Sequence, residues 1–260
     1  MNGGAGLGEL LASITAGPYT DPVTGERHVL IEHIDERGMK DSALLESVCT
    51  ALHRAHPGAQ STLLRTPAGT RLPAPWRRHL TYVRCAETLP PVPDAPSVTP
   101  AEGPGDDELV RVWLIRAFVA AGDDMCRPVS EAVARTVADG VLARPDRVSL
   151  MARQEDRTVG HATLLTDRDD ETTGETFAEL VDILVDGADT GRTTAALSRA
   201  AAAYAHSLGR PLVGNVVHTA ADSAGAGKDT WRIVTRLLRN GWQLDHAYWW
   251  APAPAGEERP

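Results

Sequence analysis

A chain of 260 residues with 42% hydrophobic and 23% charged residues can bury one large core or two ordinary ones, and it has no window near the roughly 18 apolar residues of a membrane span. The formal charge of −9 is acidic and no basic stripe emerges, which argues against a nucleic-acid partner. Cys49, Cys85 and Cys126 fit neither a disulfide framework nor a metal spacing, and the N-terminus lacks a basic region before its short apolar run, so a cytoplasmic protein is expected.

In chain order, His28–Asp35 alternates as a strand should. Asp41 can cap a helix over Ser42–Ala55, whose Leu44, Leu45, Val48 and Leu52 keep a 3.6 period. Ser61–Arg65 and Leu80–Cys85 read as strands, giving a β–α–β–β module over residues 1–88. Leu89–Asp107 carries six prolines, which remove backbone donors and hold a chain extended, so it reads as a semi-rigid tether. Leu109–Arg116 follows as a strand and Pro128–Ala143 as a helix. Val148–Arg153 and Val159–Thr166 form a hairpin around EDRT. Then come strand Ala178–Val185, helix Thr193–Leu208, strand Leu212–Val217, helix Asp229–Asn240 ended by Asn240-Gly241, and strand Gln243–Trp250. Residues 253–260 read as a tail. Cys49 and Cys85 read as small core residues, and either Trp249 or Trp250, not both, should face inward.

The stretch Phe177–Gly209 carries the chemistry. A β-rich strand meets a turn with Gly187 and Gly191 and opens an Ala-rich helix, whose first N–H groups and dipole suit an anion. Glu179 and Asp182 are carboxylates in an apolar strand, which is costly unless they are paired or functional. Plain alternation places them on opposite faces. SAGAGKDT, over residues 223–230, fails as a phosphate loop because Asp222 and Asp229 stand where Gly and Ser/Thr are needed. The nine histidines show no zinc spacing, and there is no Gly-x-Ser-x-Gly elbow.

The order β–α–β–β–β–α–β–α–β over residues 108–251 resembles the GNAT superfamily of acyl-CoA-dependent N-acyltransferases. The resemblance rests on Gly160-His161-Ala162-Thr163 at the end of the hairpin, on AELVDILVDGADTGRTTAAL against the pattern V-x-P-x-x-R-G-x-G-x-G/A, and on RLLRNGWQLDHAYW against the closing Y-x-x-L-G-F. It implies an α/β (α+β) fold: a mixed, mostly antiparallel twisted sheet flanked by helices, over residues 108–252. The smaller module 1–88 would be an accessory or a degenerate GNAT-like half.

By that resemblance the co-substrate is acetyl-CoA. Its pantetheine arm would lie along Leu184 and Val185, and its pyrophosphate would meet Gly191, Arg192, Thr193, Thr194 and Ala195, with Lys228 reaching a phosphate. The acceptor would be a primary amine of a small molecule or peptide, attacking directly, with Glu179 or Asp182 taking its proton. No nucleic acid or membrane partner is implied, and a homodimer is compatible with the pattern. Thr190 and Thr193 replace the usual Arg/Gln and middle Gly. Leu237 stands where relatives hold a proton-donating Tyr, with Tyr204, Tyr248 and Ser223 as substitutes that no spacing selects. A catalytically silent acyl-CoA-binding or scaffold protein, and an α/β protein with no such site, are the competing readings.

Overall fold

The computed structural model describes residues 8, 11–87, 89–125, 127–155, 157–187, 189–218 and 230–254. Its elements run β1 (Thr15–Thr20), β2 (Arg27–His33), α1 (Glu36–Lys40), α2 (Ser42–Ala55), β3 (Ser61–Pro67), β4 (Arg77–Cys85), β5 (Ser97–Pro100), α3 (Gly103–Asp124), α4 (Glu131–Leu142), β6 (Arg147–Gln154), β7 (Arg157–Asp169), β8 (Thr176–Val185), α5 (Thr190–Ser207), β9 (Leu212–Val217), α6 (Thr230–Arg239) and β10 (Gln243–Pro252).

The strands join into one ten-stranded sheet in the order β1-β2-β3-β10-β4-β9-β8-β7-β6-β5. The two parallel contacts are β2 with β3 and β8 with β9. Each pair is joined through a helix (α2 or α5), as a parallel crossover requires. The remaining pairs are antiparallel.

Two halves related in this way meet by exchanging strands. β4 leaves the first half to pair with β9, β10 leaves the second to pair with β3, and the two exchanged strands pair with each other at the centre.

Alternation along the strands sorts the side chains. One face packs Val29, Ile31 and Leu64 on Leu45 and Val48 of α2, and Val83, Leu164, Ala178 and Leu212 on Leu197, Ala201 and Ala205 of α5. The opposite face is covered by α3 and α4 around Met151, through Val110, Trp113 and Leu114. That cover stops short of the sheet's centre, where the face stays open. Trp249 is buried on the helix side, and its Nε1 donates to Thr66 Oγ1 at 3.1 Å. Trp250 lies on the other face beneath the Arg77 guanidinium, 4.1 Å from the ring centroid. Only one of the two faces inward, as the alternation requires. Cys49 and Cys85 are both buried; Cys126 lies outside the described residues.

Three local readings change. Residues 109–116 are helical, inside α3, because Asp106, Val110, Trp113 and Leu114 bury one stripe at helical spacing while Leu109 and Val112 stay exposed. The Pro-rich stretch is irregular only to Pro96: Ser97–Pro100 pairs with β6 as an edge strand, where proline is tolerated, and Pro104 sits in the first turn of α3. Thr15–Thr20, unread in the sequence, forms the far edge strand.

The β7–β8 turn is tied to the first half. Arg65 grips Asp170 in two bonds of 2.8 and 2.5 Å, and Arg84 pairs with Glu175 at 2.7 Å. Arg65 holds the Asp170 carboxyl well below the usual carboxylate range. A depressed carboxyl stabilises the fold above its unfolded value near about 4, and that contribution is lost as pH falls through the folded value. Asp170→Asn should therefore cost about 1.5–3 kcal/mol in urea unfolding at pH 7 and markedly less at pH 3. An equal loss at both pH values would contradict the assignment.

Candidate functional site

β8 and β9 pair over three rungs only, Ala178 with Leu212, Glu179 with Val213 and Leu180 with Gly214. Beyond Leu180 they part, although β8 continues to Val185 and β9 to Val217. Each arm of this V is held from outside, β8 by β7 as far as Val185 and β9 by β4 along its whole length. The inner edges therefore present backbone groups with no strand between them, a place where an extended ligand can pair.

Bulges surround the apex. Thr163 faces Asp182 and Leu164 faces Leu180, so Val181 is an extra residue in β8. Between β10 and β4, Tyr248 faces Leu80 and Trp249 faces Arg78, which leaves His79 extra. Further along, Asp245 and His246 together oppose Tyr82. A bulge turns a side chain onto the face it would otherwise miss. The open face at the strand exchange consequently gathers His79, Leu80, Tyr82, Asp245, His246 and Glu179 into one cavity of about 680 Å³.

Glu179 stands at the middle of the three rungs, and its Oε2 lies 3.0 Å from Arg168 Nε. Asp182 is two rungs of β7 further, and here plain alternation is corrected. Glu179 pairs with Leu165 and Asp182 with Thr163, two residues on one face of β7, so the Val181 bulge brings both carboxylates to the same side. They flank the apex of the V. Asp182 Oδ2 lies 3.4 Å from His161 Nε2, and neither atom has a hydrogen bond among the described residues. His161 is fully buried, stacked at 5.1 Å on Trp113.

Sequence reasoning missed Tyr82, whose partner across the sheet is Asn215 on β9. Burial first, then the charges of Glu179, Tyr19 and Glu32, push its hydroxyl pKa up, so it stays protonated. Among the described residues nothing accepts its proton in a hydrogen bond. Tyr248, one of the substitutes, instead donates to Glu32 at 3.0 and 3.1 Å. No sequence signal points to Tyr82, because its strand reaches the cavity only through the exchange. Ser223 and Lys228 lie outside the described residues.

No family model matches the chain, and no curated protein does. Among solved structures, a functionally unknown conserved protein from Staphylococcus epidermidis ATCC 12228 is similar at 14% identity, covering 90% of this chain and 88% of that one, with a TM-score of 0.51. A GNAT-family acetyltransferase from Colwellia psychrerythraea is similar at 10% identity, over 92% of this chain and 81% of that one, with a TM-score of 0.47. A tandem GNAT protein from the clavulanic acid biosynthesis pathway is similar at 15% identity, over 90% and 77%, with a TM-score of 0.45. These likenesses concern fold alone. The fold is GNAT-like.

The GNAT-like cleft fits an acyl-CoA unevenly. Leu184 and Val185 end the open arm of β8, where a pantetheine arm would pair. At the start of α5 the Asp189 carboxylate accepts from Arg192 N at 3.3 Å, taking an N–H that a pyrophosphate would use. Thr193 is buried, and the Thr194 hydroxyl donates to Thr190 O at 2.7 Å, so neither hydroxyl is aimed outward. Positive charge remains close: Arg192 is exposed, and Arg236 approaches 3.1 Å from where a Cβ on Gly191 would stand. Ala195 is half-buried in the second turn. Among the described residues no group of side chains could hold a metal ion, and no helix is long and apolar enough to cross a membrane.

A chain of hydrogen bonds fixes the His161 proton. Arg147, which can only donate, donates a hydrogen bond to Ser149 Oγ at 3.1 Å; Ser149 and Thr163 hydroxyls are 2.9 Å apart, and Thr163 Oγ1 is 3.1 Å from His161 Nδ1. The only order that orphans no hydroxyl proton runs from Arg147 to His161, leaving Nδ1 as acceptor and the proton on Nε2, facing Asp182. Nitrogen-15 NMR should therefore find neutral His161 protonated at Nε2, and Ser149→Ala should erode that preference. A proton on Nδ1 would contradict the chain's direction.

Proposed function

We propose that the protein transfers an acyl group, with acetyl-CoA as donor, to a primary amine by direct attack within a ternary complex. One observation carries this reading: Glu179 stands at the middle of the three β8–β9 rungs, one before the strands part, and lines the cavity. The donor's arm would run along one side of the apex, with an amine held in the cavity on the other.

Bound acyl-CoA supplies an activated thioester carbonyl. For an amine to attack it, the nitrogen must lose protons as the C–N bond forms and the C–S bond breaks. Glu179 would accept a proton, with the Arg168 guanidinium beside its carboxylate as an ion pair. Asp182, on the same face beyond the apex and 3.4 Å from His161, contributes negative charge at that end of the cleft. The Tyr82 hydroxyl, protonated throughout the physiological range, can donate a hydrogen bond to charge developing on the leaving sulfur. Among the described residues no thiol enters this scheme, since burial raises both Cys49 and Cys85 above the ordinary thiol value.

The silent-binder reading is favoured by two features, the Asp189 carboxylate on the α5 N-terminus and the half-buried Leu237, an apolar side chain with no proton to give. The two readings separate cleanly in a pair of measurements on the full chain. Calorimetric titration should show acetyl-CoA binding in the micromolar range. Glu179→Gln should keep that affinity while lowering kcat for amine acetylation by about 10²–10⁴-fold, the usual share of a general base. Binding without acetylation across a broad amine panel would select the silent reading, and no binding would discard both.

A further inference from the structure

The cavity over the strand exchange has a charge balance of its own. Eight carboxylates line it against three guanidinium groups. Two of those guanidiniums are each shared: Arg65 lies between Asp170 and Glu32, and Arg84 between Glu175 and Asp245. Arg168 is taken by Glu179. Asp21, Asp169 and Glu171 have no cationic partner among the described residues. Every guanidinium is thus already committed to a carboxylate, and an anionic ligand would find no free positive group.

Two further observations point to a ligand rather than to a merely acidic surface. The floor is aromatic, with Tyr82 stacked on His246 at 4.2 Å and Tyr248 edge-on to both. Such rings offer π faces to a cation. The His79 side chain, turned into the cavity by its bulge, is nine-tenths buried and has no hydrogen-bond partner among the described residues. Burial, with Arg127 and Arg77 close by, pulls its pKa down to about 4, so the ring is neutral and can bond an uncharged polar group. A volume of about 680 Å³ lies within the range of about 300–1,000 Å³ that small-molecule sites occupy.

We propose that this cavity, formed jointly by the two halves, binds a polycationic amine: a molecule with two or more ammonium groups, one of which reaches Glu179 while the others are held by the surplus carboxylates of the β7–β8 turn and the aromatic floor. The proposal rests on the acyl-transfer reading for the role of Glu179, and it names the acceptor class of that site.

Calorimetry on the full chain tests it with n-butylamine, 1,4-diaminobutane and spermidine, and with 6-aminohexanoate as a zwitterionic control. Affinity should rise about fivefold to tenfold with each added ammonium group, weaken with salt, and be weakest for 6-aminohexanoate. The double variant Asp169→Asn/Glu171→Gln, confined to the rim, should lose most of the preference for spermidine while leaving n-butylamine unchanged. Equal binding of mono- and triamine, or a preference untouched in the double variant, overturns the proposal. Graded polyamine binding without transfer on adding acetyl-CoA upholds the cationic site and removes the acyl-transfer reading. Transfer to amines with no preference by charge does the reverse.

Discussion

The pairing of β4 with β10 at the middle of the sheet is the constraint on which the rest depends. Each strand lies in the half that did not build it, so neither half can close its own sheet edge without the other. An open edge is a liability that folded proteins cover, and here each half covers the other's. One face of the centre is left open to a cavity, since α3 and α4 pack chiefly on the β6–β8 end around Met151. A cavity forms there as a consequence of the topology. Its walls come from strands far apart in sequence: Glu32 and Tyr248 meet across 216 positions, and Arg65 and Asp170 across 105.

Bulges then give the cavity its chemistry. Regular strands would send every second side chain to each face, and a floor of that kind holds few polar groups. The extra residues at Val181, His79 and Asp245–His246 break that rule at the places where two strands part or cross over. Glu179 and Asp182 share a face for this reason, and His79 lines the cavity. The V between β8 and β9 and the cavity are accordingly one device seen from two sides, with the last paired rungs as the partition.

How much of this the sequence could show follows from which interactions are local. The alternation in Ala178–Val185, the helical period from Thr193 and the Asn240-Gly241 stop are local, and they lead to the GNAT-like order of elements. Gly241 indeed takes positive φ at the end of α6, with Trp242 N donating to Leu237 O. Glu179 was legible as a carboxylate out of place in an apolar strand. Residues 109–116 were misread because a run such as VRVWLIR alternates and also fits a helix, and only the burial of Val110, Trp113 and Leu114 decides. Tyr82 and His79 were beyond reach, since register, bulge and strand exchange are all properties of pairing between distant segments.

The account stands on the V being the place where the donor lies, and backbone hydrogen exchange with and without acetyl-CoA reads that most directly. Added acetyl-CoA should protect amides of Val181–Val185 and Asn215–Val217, the stretches with no strand between them, with little change at the equivalent β2–β3 junction of the first half. Protection that spared residues 181–185 and 215–217, or that appeared at the β2–β3 junction instead, would contradict it.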